Sequence, residues 1–112
     1  MIFCFDLDNV ICETSGTDYS ISKPHKEVIK KINSLYEEGN KIIIFTARYM
    51  GRNNENVELA INQGFVSTEK QLKNWGLKFN KLIFGKPVYD VYVDDKNFEF
   101  KKDWIKEFSK KY

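Results

Sequence analysis

The chain has 112 residues, a length that accommodates one hydrophobic core and leaves no room for a second domain. Hydrophobic residues make up 42% of the sequence and charged residues 30%, a balance that excludes an intrinsically disordered chain. The net charge is only +2, so the composition does not favour a nucleic-acid partner. We therefore predict a single domain over residues 1–112.

The sequence also restricts the cellular context. No apolar run is long enough to cross a bilayer, so no membrane partner is expected. Asp6 follows the first apolar residues at once, which argues against a secretory signal peptide. The two cysteines, Cys4 and Cys12, are then expected to be reduced thiols. Together these features predict a cytoplasmic protein.

Four short apolar runs, at residues 2–5, 42–45, 81–84 and 88–93, are predicted to be strands. The first two are continuous rather than alternating, which is typical of strands covered on both faces of a parallel sheet. The apolar residues of segment 9–23 follow neither a helical nor a strand spacing, so this segment is predicted to form a long functional loop.

Helical spacing separates the predicted strands. Apolar residues from Val28 to Tyr36 share one helix face, and a weaker helix is predicted near Val57. The sequence TEKQ at residues 68–71 resembles a capping box that opens a further short helix. Apolar residues with helical spacing recur at Trp104 and Phe108 and predict a helix near the C-terminus. Strands that alternate with helices predict an α/β fold, a doubly wound parallel sheet in three α/β/α layers.

Polar residues follow each predicted strand at the point where it ends. In chain order they are Asp6 and Asp8, Thr46 and Arg48, Gly85 and Lys86, and Asp94 and Asp95. Ligands of open α/β sheets bind outside the carboxyl ends of the strands, so these residues are expected to converge on one site.

The residue types at these strand ends indicate phosphoryl chemistry. Carboxylates without a nearby His or Cys favour Mg²⁺, which completes its shell with water and a substrate phosphate oxygen. Lys86 and Thr46 are then donors to the same phosphoryl group. Asp6 can serve as a covalent nucleophile once that group's charge is neutralised. Asp8, two residues further along an extended chain, can transfer protons in the same site.

Four sequence motifs, taken together, resemble those of the haloacid dehalogenase superfamily, in its phosphatase branch. They are DLDNV at residues 6–10, IIIFTAR at 42–48, FGKP at 84–87 and VYVDD at 91–95. The resemblance covers nearly the whole chain and reproduces the order of the family's motifs. It implies a Mg²⁺-dependent phosphomonoesterase with an aspartyl-phosphate intermediate.

The resemblance also implies a role for each matching residue. Asp6 would be the nucleophile and Asp8 the general acid and base. The phosphoryl group would be bound by Thr46, Ala47, Arg48 and Lys86. Mg²⁺ would be held by the carboxylate of Asp6, the backbone carbonyl of Asp8, and the pair Asp94 and Asp95. Whether Arg48 contacts the phosphate or pairs with a carboxylate stays open, as does which member of the Asp94–Asp95 pair touches the ion.

Residues 9–23 and 49–67 are too short to hold the cap domain that many members of this superfamily insert. The chain therefore resembles capless members, and in particular small phosphatases associated with capsular and surface polysaccharide biosynthesis. That narrower resemblance implies a phosphorylated sugar as substrate. We expect the loops to close over the site, with a homodimer as the alternative cover.

Three other functions are compatible with parts of this pattern. A nucleotide or polynucleotide end phosphatase shares a similar Thr46-Ala-Arg48 sequence, although the chain shows no aromatic strip for stacked bases. A receiver-like domain uses an acidic pocket with Mg²⁺, but here no Asp ends the third strand. A non-catalytic phosphoryl-binding module is disfavoured because every residue that the chemistry needs is present.

Overall fold

The structure is a computed structural model that describes all residues, 1–112. In chain order its elements are β1 (Ile2–Phe5), β2 (Cys12–Glu13), β3 (Lys23–Pro24), α1 (Lys26–Glu37), β4 (Lys41–Thr46), α2 (Val57–Asn74), β5 (Lys81–Phe84) and α3 (Trp104–Lys111). None of the helices combines the length and the hydropathy that a bilayer crossing requires. Cys4 and Cys12 are both free thiols.

The main sheet contains three parallel strands in the order β1-β4-β5. Phe3 lies opposite Ile42, and Ile44 lies opposite Leu82, so these side chains point to the same face of the sheet. Three of the four predicted strands are thereby confirmed, as is the α/β class with a parallel sheet.

Burial alternates along the first strand of this sheet. Phe3 and Phe5 are buried in β1, whereas Ile2 and Cys4 between them are exposed. The expectation that β1 is covered on both faces is therefore wrong. A continuous apolar run shows that a strand is hydrophobic, but it does not show how many helices are available to cover it.

Helices α1 and α3 cover the buried face of the sheet. The buried residues of α1 are Val28, Ile29, Ile32 and Leu35, which confirms the predicted helix face. In α3, the ring of Phe108 lies 5.8 Å from the rings of both Phe3 and Phe5. These edge-on aromatic contacts fix the C-terminal helix against β1, as its periodicity predicts.

Helix α2 is one continuous helix of 18 residues, where the sequence predicts two shorter ones. Its N-cap is Asn56, whose side chain accepts a hydrogen bond from Leu59 N at 3.1 Å. Thr68, the predicted cap of a further helix, lies in its interior and is buried. The capping-box prediction is wrong because burial of Ala60, Thr68 and Leu72 on one face sustains the helix through this sequence.

Residues 88–93 form no strand, which corrects the fourth strand prediction. Val91 is 78% exposed and Val93 is 90% exposed, so the apolar pattern finds neither a core nor a paired neighbour. Without this strand the order β1-β4-β5 advances in one direction only. The reversal of strand order that defines a doubly wound sheet is absent from the observed sheet.

Residues 9–23, predicted as a loop, contain a short antiparallel hairpin. Cys12 in β2 lies opposite Pro24 in β3, and a 3₁₀ turn at Tyr19–Ile21 shapes the tip. His25 N donates a hydrogen bond to Ile11 O at 2.9 Å, which ties the end of the hairpin to its beginning. The segment is therefore a hairpin whose base is fixed next to the end of β1.

Candidate active site

The carboxyl ends of three parallel strands bring together three of the predicted site residues. Asp6 directly follows β1, Thr46 is the last residue of β4, and Lys86 lies two residues beyond β5. Lys86 N donates to Thr46 O at 3.2 Å, so the backbone at the end of β4 contacts the backbone that follows β5. Gly85 makes this turn with φ +101, a backbone angle that favours glycine. The convergence predicted from strand ends is confirmed for these residues.

Asp6 presents a partly exposed carboxylate beside a cation. Its Oδ1 accepts a hydrogen bond from Leu7 N at 2.8 Å, and its Oδ2 lies 3.5 Å from Lys86 Nζ. The side chain is 33% exposed, which leaves one direction open for a ligand. Burial raises the pKa of Asp6 and the charge of Lys86 opposes that rise. The group is thus an oriented carboxylate with a counter-charge beside it.

Lys86 is held by aromatic residues as well as by Asp6. Its side chain is buried, and its Nζ lies 5.3 Å from the ring centroid of Tyr89 and 5.1 Å from that of Tyr92. Burial lowers the pKa of Lys86, but the hydrogen bond to Tyr89 and the charge of Asp6 outweigh it and raise the pKa overall. Lys86 is therefore an ammonium ion that can neutralise an approaching dianion.

Sequence reasoning missed Tyr89 and Tyr92. They lie three residues apart in a segment predicted as a strand, where that spacing places them on opposite faces. Because the segment is not a strand, the two rings meet at 5.0 Å on the same side of Lys86.

Asp8 faces the hairpin and Arg48. Its Oδ1 accepts from Thr14 Oγ1 at 2.5 Å and from Arg48 Nη2 at 2.9 Å, and its Oδ2 accepts from Arg48 Nε at 3.0 Å. Cys12 Sγ also lies 3.5 Å from Oδ1. The carboxylate is therefore fully engaged as an acceptor, in a bidentate pair of the strongest kind that side chains form.

Arg48 is buried, with a side-chain exposure of 1%. Beyond Asp8, its Nη1 donates to Gln71 Oε1 at 2.6 Å and its Nη2 to Ser22 Oγ at 3.4 Å. Of the two alternatives that the sequence leaves open, the structure shows the carboxylate pair, with Asp8 as the partner.

The residues around this pair went unnoticed in the sequence. They are Thr14 and Ser22 in the hairpin and Gln71 in α2. The sequence assigned Gln71 to the predicted capping box. In the continuous helix α2 its side chain is free to contact another element, and it accepts a hydrogen bond from Arg48.

The backbone after β4 supports this arrangement. Arg48 N donates to Thr46 Oγ1 at 3.1 Å, and Ala47 O accepts from Met50 N at 3.1 Å. Thr46 is fully buried and Ala47 half-buried. The turn that contains the predicted phosphate-binding residues is therefore held by hydrogen bonds, and the Thr46 hydroxyl oxygen already serves as an acceptor within it.

Asp94 and Asp95 lie apart from this network and are exposed. Asp94 Oδ1 accepts from Lys96 N at 2.8 Å and so closes its own turn. Burial raises the pKa of the Cys4 thiol, and the charge of Asp94 is one of the smaller contributors to that rise. The acidic pair makes no hydrogen bond or ion pair with Asp6 or Asp8.

The four carboxylates do not form a cation site in this arrangement. No group of three His, Cys, Asp or Glu side chains is close enough to hold an ion. The carboxylate of Asp8 is paired with Arg48, which leaves only its backbone carbonyl for an ion, and the carboxylate of Asp94 is bound to its own turn. As placed, Asp6, Asp8, Asp94 and Asp95 do not fit the near-octahedral oxygen shell that Mg²⁺ requires.

The fold and the site define a small α/β protein with a Rossmann-like parallel sheet. The crystal structure of a structural-genomics target from Vibrio cholerae is similar to it, with a TM-score of 0.78 and 23% sequence identity. The match covers 99% of this chain and 98% of that chain. Neither a protein-family model nor a curated protein sequence matches the chain. At this level of identity the likeness shows the fold alone.

Proposed function

We propose that the chain is a phosphomonoesterase of the haloacid dehalogenase superfamily, in its capless phosphatase branch. The observation that carries the proposal is the contact between Asp6 Oδ2, at the end of β1, and Lys86 Nζ at 3.5 Å. Thr46 at the end of the neighbouring strand adds a hydroxyl to the same edge of the sheet. A nucleophilic carboxylate, a cation and a hydroxyl donor are the minimum set for transferring a phosphoryl group.

In the first step, a carboxylate oxygen of Asp6 attacks phosphorus and the bond from phosphorus to the ester oxygen breaks. The electron pair of that bond goes to the leaving oxygen, which takes a proton from Asp8. Lys86 and Thr46 stabilise the charge on the phosphoryl oxygens. Asp8 carries this proton when the step begins and reaches the leaving oxygen once its carboxyl group turns away from Arg48.

In the second step, water attacks the phosphorus of the aspartyl-phosphate and gives its proton to Asp8. The bond between phosphorus and the Asp6 oxygen breaks, which releases inorganic phosphate and regenerates the carboxylate of Asp6. Asp8 thus ends the cycle protonated again, with a proton from water in place of the one it gave to the leaving group.

The motifs also imply a fourth strand in the sheet and a metal ion at the site. Mg²⁺ dependence requires a rearrangement of the observed structure, in which residues 88–93, which form no strand there, would add to the sheet beside β1 and make it doubly wound. Asp94 or Asp95 would then approach Asp6 and could share the ion with it. A phosphorylated sugar is the proposed substrate and the cytoplasm the proposed location.

Release of inorganic phosphate from a panel of sugar phosphates, nucleotides and end-phosphorylated oligonucleotides tests the proposal. We expect turnover of sugar phosphates by the native protein and by Glu58→Gln, an exposed change in the first turn of α2. We expect none from Asp6→Asn, whose amide is a far poorer nucleophile. Equal turnover by Asp6→Asn would exclude the covalent mechanism, and activity confined to oligonucleotides would favour an end phosphatase.

A further inference from the structure

A polar cleft of about 570 Å³ lies beside the candidate active site. Its walls are the tip of the hairpin, the turn that follows β4, and the second half of α2. Only Tyr19 and Tyr49 among its lining residues are hydrophobic, and hydroxyl and amide side chains supply most of the rest. Such a lining suits a ligand with many hydrogen-bonding groups rather than an apolar one.

The charges of this cleft are predominantly positive. Four charged residues line it, of which Asp18 is acidic and Arg48, Arg52 and Lys70 are basic. Asp18 Oδ1 already accepts from Ser20 N and Ser20 Oγ, and Arg48 is paired with Asp8. Arg52 and Lys70 have no carboxylate partner. The cleft therefore offers two uncompensated cations to an anion.

Thr68 gives independent support for a ligand at this place. It lines the cleft, it is 1% exposed, and its hydroxyl has no hydrogen-bond partner. It is the one buried side-chain polar atom in the chain that lacks such a partner. Buried polar groups in native proteins are nearly always paired, so the unpaired Thr68 hydroxyl marks this wall of the cleft as a place where the chain leaves a polar group for a water or ligand atom to satisfy.

Arg52 is held in position before any ligand arrives. Its guanidinium lies 4.6 Å from the ring centroid of Tyr49, and its Nη2 donates to Thr17 O at 2.5 Å. Tyr49 has φ 67, a left-handed angle that is costly for a tyrosine, and its ring packs against Gly64. A cation that is ordered in advance loses little conformational entropy when it binds an anion.

Arg48 connects the cleft with the site of the proposed reaction. Its Nε and Nη2 contact Asp8, while its Nη1 contacts Gln71 on the wall of the cleft. We propose that the cleft binds a second anionic group of a polyhydroxylated substrate whose phosphate ester lies at Asp6. This assignment rests on the proposed phosphatase activity and narrows its substrate to compounds that carry two anionic groups.

Glucose monophosphate and glucose bisphosphate test the inference, because they differ only by the second phosphate. We expect kcat/KM to be at least about tenfold higher for the bisphosphate. Arg52→Gln and Lys70→Gln should each reduce that preference by about tenfold. Lys73→Gln is the matched control, since Lys73 lies on α2 outside the cleft and should keep the native preference.

Calorimetric titration of Asp6→Asn with glucose bisphosphate separates the two proposals. We expect binding that weakens about tenfold when Arg52→Gln is added and is unaffected when Lys73→Gln is added. If no ester is hydrolysed but this Arg52-dependent binding persists, the phosphatase proposal fails, and the cleft is still a binding site for an anionic group although not part of a substrate site. If esters are hydrolysed without any dependence on Arg52 or Lys70, or if Lys73→Gln has the same effect as Arg52→Gln, the cleft assignment is wrong.

Discussion

Two acidic segments of the chain share one sequence pattern and differ in structure. Both consist of an apolar run that ends in two aspartates, at residues 2–8 and 88–95. In the first, Asp6 contacts Lys86 and Asp8 contacts Arg48. In the second, Asp94 and Asp95 are exposed, and neither makes a side-chain hydrogen bond or ion pair with a distant part of the chain.

The difference lies in the partners rather than in the pattern. The first run pairs with β4 in a parallel register, and cations from two later parts of the chain reach its aspartates. The second run has no paired strand, so its aspartates are placed by local turns alone. An apolar run predicts the tendency to form a strand, but the neighbour decides whether the strand forms.

The largest expected effect concerns Mg²⁺ and the second segment. If residues 88–95 complete the site by bringing a carboxylate to the ion, chelation abolishes turnover and added Mg²⁺ restores it. Asp94→Asn or Asp95→Asn should then raise the Mg²⁺ concentration that gives half-maximal phosphate release, whereas Asp103→Asn, also exposed, should not. Full turnover after exhaustive chelation would show that the reaction needs no metal ion and that residues 88–95 supply no ligand for one.

The stability of the two segments should differ by a measurable amount. Arg48→Met leaves Asp8 without its buried partner and should lower the free energy of unfolding by about 3 kcal/mol. Asp94→Asn should change it by less than about 0.5 kcal/mol, because the side chain is exposed. Urea unfolding measures both. Equal losses from the two variants would show that the second segment is as firmly integrated as the first.

Gly64→Ala tests the packing of α2 against Tyr49, in the turn that carries Arg48 towards Asp8. A Cβ at this position would lie 2.0 Å from Tyr49 Cε2, so the ring must move. We expect a loss of about 2 kcal/mol from this overpacking, although alanine is the better helix former. Asn62→Ala, exposed on the same helix, should be neutral or stabilising. If Tyr49→Ala fails to relieve the loss in a double variant, the ring is not its cause.

The smallest expected effect is a shift of the pKa of Asp6. Because burial raises this pKa, the carboxyl group should titrate above its ordinary value of 3.8. The buried carboxylate therefore costs stability above its folded-state pKa, and that cost is relieved as the pH falls towards 3.8. Lys86→Met removes the cation that opposes the rise, so the pKa should increase further. Carbon NMR of the Asp6 carboxyl group measures it, and a decrease would contradict the pairing.

Strand ends were the most reliable information in the sequence. Asp6, Thr46 and Lys86 could be placed together because they follow β1, β4 and β5, and parallel strands end at one edge of a sheet. The core faces of α1 and α3 were also predictable, because their apolar residues recur with the helical period.

Contacts between distant side chains were not predictable in the same way. The pair of Arg48 with Asp8 depends on how the hairpin folds over the end of β1, and no local period encodes it. The continuity of α2 through Thr68 depends on burial against the sheet, which overrides the local capping pattern. Both features arise from tertiary packing and become visible only when the elements are assembled.

Transfer of a phosphoryl group to Asp6 tests the central claim most directly. A sugar phosphate that the protein hydrolyses would be mixed with it, quenched in acid within one turnover, and the digested protein analysed by mass spectrometry. The account predicts a phosphoryl adduct on the peptide that contains Asp6, and no adduct in Asp6→Asn or on the peptide that contains Asp94. Hydrolysis without an adduct on Asp6, or with an adduct elsewhere, would contradict it.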